Sequence, residues 1–280
     1  MLDSVLQVLL VILSLGLAAV LASLFLTRIL LWLLPKMGML YQPDFTQRNY
    51  THTVPRGGGI AMILTFVIVT IAYFTLAAAD GNKSSLPNLR LLLPLGILLP
   101  LGILNDRFSF KAGYSLCFHV LAAFVAWKLG YRMESCFGII LPNWLAISLT
   151  TIWIVAFINL FNLIDRVDGL ATGIGIISAV FLIANALALH SHNQAIILAV
   201  FASSLLGFLS YNWHPGWLFM GDTGSTFIGY TLAVMALCLN AEAVTITSIC
   251  LPLLACEIPF FELCLNALRA KHLKSVDSHQ

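Results

Sequence analysis

Two aspartates three residues apart interrupt an otherwise apolar stretch of the sequence, "NLFNLIDRVDGLA". If this stretch is helical, Asn162, Asp165 and Asp168 lie on one broad face and present their oxygen atoms together. Two carboxylates this close repel each other unless a cation lies between them, and Mg²⁺ commonly binds one or two carboxylates together with substrate phosphates. Because both flanks are apolar, a solvated loop is the weaker explanation. The pattern therefore predicts a phosphate and metal site.

A third carboxylate, Asp222, lies in the sequence "FMGDTGS", which we predict to begin a helix. A carboxylate followed by small residues can hold a metal ion and still leave room for a bulky phosphate ligand. We therefore predict Asp222 as the metal ligand. The aromatic residues just before it, Phe219 and Trp217, also fit the alternative of side chains at the membrane interface. For Trp217 we prefer that alternative.

Three consecutive glycines follow a basic residue in the sequence "HTVPRGGGIAM". Glycine allows the backbone to approach a ligand closely, and the exposed N–H groups at the start of a helix suit an anion. Arg56 adds a fixed positive charge beside them, so we predict it as an anion contact. The alternative is a tight turn with close helix packing, which we would favour for a glycine run alone.

A polar cluster follows another apolar segment in the sequence "LGILNDRFSFKAG". Asn105 and Asp106 end the segment, and the cations Arg107 and Lys111 come shortly after them. We predict Lys111 as a further anion contact. A helix cap with cations that reach toward the interface explains the cluster equally well when it is taken alone.

The apolar segments between these motifs place the chain in a membrane. Of its 280 residues 60% are hydrophobic and 9% are charged, and the mean hydropathy is +0.96, whereas soluble domains are about 25% charged. A membrane helix needs roughly 20 mostly apolar residues. We predict an all-α fold, a polytopic integral membrane helical bundle of about nine transmembrane helices. They lie near residues 5–34, 58–79, 91–104, 115–129, 143–161, 170–189, 194–211, 224–240 and 244–268.

The distribution of charge assigns the loops to the two sides of the membrane. If the N-terminus is outside, the motif loops and most basic residues lie on the cytoplasmic side, as the positive-inside rule requires. We therefore predict cytoplasmic active-site loops in an inner (plasma) membrane protein. The cytoplasmic loops would carry Lys36, Arg48, Arg56, Arg107, Lys111, Arg166, Arg269, Lys271 and Lys274, and the opposite loops Lys83, Arg90, Lys128 and Arg132.

Taken together and in this order, "PRGGG", the polar pair at Asn105, "NLFNLID..DGLA" and "FMGDTGS" resemble the polyprenyl-phosphate N-acetylhexosamine-1-phosphate transferase superfamily, glycosyltransferase family 4. The resemblance implies an enzyme that transfers an N-acetylhexosamine 1-phosphate from a UDP-sugar to polyprenyl phosphate and releases UMP. This would be the first step of a cell-envelope polysaccharide. The implied cofactor is Mg²⁺, or Mn²⁺ in its place. The implied partners are the UDP-N-acetylhexosamine, the lipid and the membrane, with a homodimer allowed and no nucleic acid.

The resemblance also implies roles for residues. Asp222 matches the metal ligand of the family, and Phe219 matches the aromatic residue beside the uracil. Asp165 and Asp168 match aspartates that shape the diphosphate, metal and nucleotide sites. Asp106 matches the second aspartate of a pair that activates the lipid phosphate or arranges the metal site. With Arg56 and Lys111 added from the charges of the residues themselves, the predicted site comprises Asp106, Asp165 and Asp168 as catalytic residues, Arg56, Lys111, Asn162 and Phe219 as substrate contacts, and Asp222 as the metal ligand.

Three features depart from the family pattern. Asn105 replaces the first aspartate of the pair, and an amide cannot supply a full negative charge. Arg166 replaces a glycine, and we expect its charge to compete with Mg²⁺ for Asp165 and Asp168. Binding of a substrate phosphate is the alternative role for Arg166. The chain also ends shortly after the ninth predicted helix, so we expect one membrane domain, residues 1–280, that is short at its C-terminus.

The substrates and the competing functions follow from the same motifs. The "PRGGG" form is more similar to the branch that initiates O-antigen and related lipopolysaccharide glycans than to the peptidoglycan branch. It favours UDP-GlcNAc or a related N-acetylated deoxysugar, with undecaprenyl phosphate as the lipid. One alternative is a catalytically impaired homologue that still binds nucleotide sugar or lipid carrier. The other is a transporter of an anionic solute, which is weaker because the charges gather in loops at one face and not near the midplane.

Overall fold

The fold is a bundle of helices. The computed structural model describes residues 2–41, 53–79, 83–108, 110, 112–136 and 139–242. Each of the first eight predicted helices has a counterpart, which confirms the all-α fold, and the ninth lies outside the described residues. The helices are α1 (Leu2–Leu33), α2 (Gly59–Ala79), α3 (Leu95–Phe108), α4 (Ala112–Lys128), α5 (Asn143–Ile164), α6 (Leu170–Ala188), α7 (His192–Asn212) and α8 (Gly221–Glu242). Two short antiparallel pairs complete the described part, β1 (Leu40–Tyr41) with β2 (Val54–Pro55) and β3 (Ser135–Cys136) with β4 (Ile139–Ile140).

The length and hydropathy of the helices confirm a multi-pass membrane protein. Within the described residues, seven helical segments are long and apolar enough to cross a membrane. Helix α4 has 17 residues, which is close to the lower limit for a spanning helix. Helix α3 starts later than predicted because Lys83–Leu92 forms a 3₁₀ helix and Pro94 directly precedes α3. Proline suits the start of a helix, where its missing N–H costs nothing.

Helix α8 is the centre of the bundle. It is almost completely buried and packs against α5, α3, α2 and α6. Glycines allow these helices to approach closely: a Cβ added to Gly59 would lie 2.2 Å from the backbone nitrogen of Gly224, and one added to Gly229 would lie 2.6 Å from the carbonyl oxygen of Phe157. Small residues at helix contacts are the usual means of close packing in membranes. The N-terminus of α8 is thereby fixed against the ends of α2 and α3.

Candidate functional site

The segment before α2 and the segment before α8 run side by side and exchange backbone hydrogen bonds. The N–H of Phe219 donates to the carbonyl of Pro55 at 2.9 Å, and the N–H of Gly58 donates back to Phe219 at 2.9 Å. The next glycine, Gly59, donates to the carbonyl of Met220 at 2.9 Å. The glycine N–H groups, which would also suit an anion, thus bond to protein carbonyls in this structure. The alternative of a tight turn with close helix packing therefore describes the three consecutive glycines.

Asp106 binds the N-terminus of α8 from the end of α3. Its carboxylate is fully buried and accepts the N–H of Asp222 at 2.7 Å, the N–H of Thr223 at 3.2 Å and the Thr223 hydroxyl at 2.6 Å. The first N–H groups of a helix have no partner within the helix, and the helix dipole favours a negative charge beside them. Gly221 makes the approach possible, since a Cβ there would lie 2.5 Å from the Asp106 Oδ1. Asp106 is thus a cap supplied by a distant part of the chain.

Arg56 joins the two carboxylates of this cluster. Its Nε lies 2.9 Å from Asp106 Oδ1, and its Nη2 lies 2.9 Å from Asp222 Oδ1. Burial by itself would lower the pKa of Arg56, but nearby carboxylates raise it above its ordinary value; they are, in order of effect, Asp106, Asp222 and Asp165. Arg56 therefore carries a fixed positive charge. Its described bonds are to protein carboxylates, so its predicted contact with a substrate anion stays a prediction.

Asn105 holds the other oxygen of Asp222. Its Nδ2 donates to Asp222 Oδ2, and its Oδ1 accepts the backbone N–H of Phe110 at 2.7 Å. The side chain of Asp222 is 31% exposed, whereas that of Asp106 is 0% exposed. Asp222 is therefore the carboxylate of this cluster that can reach a ligand from solution.

The motif that contains Asp165 and Asp168 connects α5 to α6, as the predicted helix bounds of 143–161 and 170–189 require. Helix α5 ends at Ile164, and Asp165 is its C-cap residue with φ −66° and ψ 14°. The stretch is therefore not helical throughout, and Asn162, Asp165 and Asp168 do not share one helical face. Asn162 instead accepts a hydrogen bond of 2.6 Å from the Ser225 hydroxyl. It joins α5 to α8 one turn beyond the carboxylate cluster.

Asp168 faces the loop between α7 and α8. Its side chain is only 3% exposed, and its Oδ2 lies 3.4 Å from both the His214 Nδ1 and the Gly216 N–H. Arg166 is exposed, and among the described residues it forms no ion pair with Asp165 or Asp168. The expected competition between Arg166 and Mg²⁺ for these aspartates stays a prediction.

Of the two remaining predicted contacts, the structure describes only Phe219. Phe219 is 2% exposed and packs against Val54 and Tyr41, with 5.5 Å between the ring centroids of Tyr41 and Phe219. The predicted contact between Phe219 and a nucleobase stays a prediction. Lys111 lies outside the described residues.

The sequence interpretation missed Asn212, which ties three segments of the site together. It is 1% exposed at the end of α7. Its Oδ1 accepts the Gly169 N–H at 3.0 Å and the Thr172 hydroxyl at 3.1 Å, and its Nδ2 donates to the Leu218 carbonyl at 3.0 Å. The signal in the sequence was an amide at the end of an apolar run, directly before the "WHPGW" turn. Asn212 positions the loop that leads to Asp222.

We expect Asn212→Leu to lower the free energy of unfolding by about 2–4 kcal/mol, since it leaves the buried Gly169 N–H and Leu218 carbonyl without partners. Thermal unfolding in detergent measures the loss. Asn159→Leu is the matched control, because the Asn159 side chain is exposed and donates only to the Val155 carbonyl of its own helix. Equal unfolding temperatures for the two variants would show that the buried network contributes nothing.

A metal ion at this site would have few ligands from the described residues. Among the described residues, no three His, Cys, Asp or Glu side chains come together as metal ligands. Mg²⁺ does not need such a cage, because it commonly keeps several waters and binds one or two carboxylates together with substrate phosphates. The half-exposed Asp222 carboxylate fits that kind of site, with phosphate oxygens as the other ligands.

Comparison with protein families gives one match over more than half of the chain. The model of the family described as "Glycosyl transferase family 4" matches residues 88–240. This range begins before α3 and ends within α8. It therefore contains Asn105, Asp106, both aspartates of the α5–α6 loop and Asp222.

Individual relatives are named as transferases, two of them for N-acetylglucosamine phosphate and a polyprenyl phosphate. A probable undecaprenyl-phosphate N-acetylglucosaminyl 1-phosphate transferase of Bacillus subtilis is 30% identical over 235 residues, 81% of this chain and 63% of the relative. A decaprenyl-phosphate N-acetylglucosaminephosphotransferase of Mycobacterium tuberculosis is 32% identical over 78% of this chain and 58% of the relative. A phospho-N-acetylmuramoyl-pentapeptide-transferase of Limosilactobacillus reuteri is 39% identical over 48% of this chain and 43% of the relative. The chain thus spans less than two thirds of these relatives.

Proposed function

Because the chain belongs to glycosyl transferase family 4, we propose that it transfers an N-acetylhexosamine 1-phosphate from a UDP-sugar to a polyprenyl phosphate. The observation that carries the proposal is the cluster of Arg56, Asp106 and Asp222, drawn from three distant segments at one end of the bundle. In the reaction, an oxygen of the lipid phosphate attacks the β-phosphorus of the UDP-sugar. The bond from this phosphorus to the bridging oxygen breaks, UMP leaves with that oxygen, and the sugar stays on the lipid through a diphosphate.

The charges of the cluster suit two anionic substrates only if additional positive charge is present. Arg56 is neutralised by two carboxylates, so a metal ion is needed to offset the repulsion between the lipid phosphate and the nucleotide diphosphate. We propose that Asp222 holds Mg²⁺, with Mn²⁺ able to replace it. Bound there, the ion would stabilise the charge that develops on the leaving UMP. Asp106 and Arg56 would keep the Asp222 carboxylate in place, and Asp165 and Asp168 would border the site.

The substrates are proposed from the names of the relatives and the "PRGGG" motif. Two of the relatives are named for N-acetylglucosamine transfer, which supports UDP-GlcNAc as the first sugar to test. Undecaprenyl phosphate is the lipid to test with it. Three assignments stay predictions from the sequence: a role in O-antigen synthesis, a place in the inner membrane, and active-site loops that face the cytoplasm.

The test is release of UMP by the protein purified in detergent, measured with UDP-GlcNAc and Mg²⁺ in the presence and absence of undecaprenyl phosphate. We expect release that requires both the lipid phosphate and the metal ion. A protein that binds UDP-GlcNAc but releases no UMP with any UDP-N-acetylhexosamine would be an impaired homologue. Uptake of an anionic solute into proteoliposomes without UMP release would support a transporter.

We expect Asp222→Ala to abolish the Mg²⁺-dependent part of the turnover, because it removes the exposed carboxylate of the cluster. Titration of UMP release with Mg²⁺ measures the effect. Glu134→Ala is the control, since Glu134 is an exposed carboxylate that pairs with Arg132 in the loop between α4 and α5. Mg²⁺-dependent turnover that survives in Asp222→Ala would show that another residue holds the ion.

A further inference from the structure

The side-chain amide of Asn105 occupies a defined place between the end of α3 and the start of α8. One end of the amide meets the backbone N–H of Phe110, and the other meets the Asp222 carboxylate. We propose that Asn105 is a positioning residue whose amide holds the Asp222 carboxylate in place without a metal ion. An ionised carboxylate at position 105 would instead need a cation between itself and Asp222. The inference depends on the proposed function only in its choice of Mg²⁺ as that cation.

The two neighbours of Asn105 determine which way its amide points. An N–H group can donate only to an oxygen, so the Phe110 N–H requires Oδ1 on its side. The amino group Nδ2 must then face Asp222, where it is a donor to a carboxylate acceptor. The orientation therefore follows from both contacts and not from the assignment of a single atom.

The charge of the cluster shows what this amide changes. Arg56 contributes one positive charge, and Asp106 and Asp222 contribute one negative charge each, so the cluster with neutral Asn105 carries a single net negative charge. An aspartate at position 105 would add a second one and would place its carboxylate directly against that of Asp222. Like charges at this distance strongly disfavour each other's ionised form. The pair of ionised carboxylates would then need an added cation, unless one of them takes up a proton.

Both oxygens of Asp222 already have a protein donor in this arrangement. Arg56 Nη2 bonds to Oδ1 at 2.9 Å, and Asn105 Nδ2 bonds to Oδ2. The carboxylate is therefore oriented before any substrate binds, and Mg²⁺ without nucleotide adds little to the stability of the resting protein. Each carboxylate oxygen keeps a further lone pair, so a metal ion can still bind when phosphate ligands accompany it.

The experiment compares unfolding temperatures in detergent, in excess EDTA and in excess Mg²⁺, without nucleotide or lipid. We expect no Mg²⁺-dependent shift for the native protein. Asn105→Asp should unfold lower by roughly 5 °C in EDTA and should regain most of that loss in Mg²⁺. Asn143→Asp makes the same chemical change at the exposed start of α5, far along the chain from the cluster, and should show no Mg²⁺ dependence.

The double variant Asn105→Asp/Asp222→Asn exchanges the donor and the acceptor. The new carboxylate at position 105 still accepts the Phe110 N–H, and the new amide at position 222 donates to it while its oxygen accepts from Arg56. We expect this exchange to restore stability in EDTA and to remove the response to Mg²⁺. If the double variant is more stable than the sum of the two single changes predicts, positions 105 and 222 interact directly.

Three results would overturn the inference: a Mg²⁺ shift in the native protein as large as that in Asn105→Asp, no loss in Asn105→Asp, or no recovery in the exchange. If Asn105→Asp alone cannot be purified, recovery of the exchange variant in EDTA remains the deciding result. Unfolding needs no turnover, so an inactive protein with the expected pattern would contradict only the proposed function. An active protein without the pattern would contradict only this inference.

Discussion

Asp106→Ala is expected to lower the free energy of unfolding by about 3–5 kcal/mol, the usual cost of removing one partner from a buried ion pair. Its carboxylate is fully buried, pairs with Arg56 and accepts three hydrogen bonds from the first turn of α8. Alanine leaves those N–H groups without partners and removes one of the two carboxylates from the Arg56 charge. Chemical or thermal unfolding in detergent measures the loss, and we expect UMP release to fall with it because Asp222 loses its support.

Two further variants separate the causes of this effect. Asp106→Asn keeps an acceptor for the helix terminus and removes the charge, so it should lose less stability than alanine. Glu134→Ala breaks an exposed ion pair with Arg132 and should change the free energy of unfolding by less than about 1 kcal/mol. A loss for Asp106→Ala no greater than for Glu134→Ala would contradict the role of Asp106 as the cap of α8.

Gly221→Ala is expected to cost about 2–5 kcal/mol, from a strained backbone and from steric overlap. The φ of Gly221 is +75°, a conformation that residues with a Cβ rarely adopt. The added Cβ would also lie 2.5 Å from Oδ1 and 2.6 Å from Oδ2 of Asp106. Because the Asp106 carboxylate is held by four bonds, it cannot move aside without releasing α8 or Arg56. The unfolding temperature in detergent measures the loss.

Gly38→Ala is the matched control that separates the steric overlap with Asp106 from the strain of the backbone. Gly38 has φ +72°, but a Cβ there would meet nothing within 4 Å. Both variants therefore lose stability through the strained backbone, and only Gly221→Ala also displaces a buried carboxylate. Equal losses in the two variants would show that Asp106 does not press against the start of α8.

The sequence by itself determined the helices and the grouping of the motifs. Runs of about 20 apolar residues cannot satisfy their backbone in lipid except as helices, so the positions of these runs decide the fold class and the approximate bounds of α1 to α8. The order of the motifs along alternating helices places Arg56, Asp106 and Asp222 at one end of the bundle, and the structure confirms that they meet there. The side chains that carry charge could therefore be named in advance.

Only the tertiary structure decided what each of these polar groups bonds to. Arg56 and Asp222 are 166 residues apart in the chain, and nothing local to either residue indicates that one neutralises the other. For the same reason the sequence did not show that the glycine N–H groups bond to the segment before α8, or that Asn212 fixes that segment. A buried polar group takes the partner that packing brings within about 3 Å, and in a helical bundle that partner usually lies on another helix.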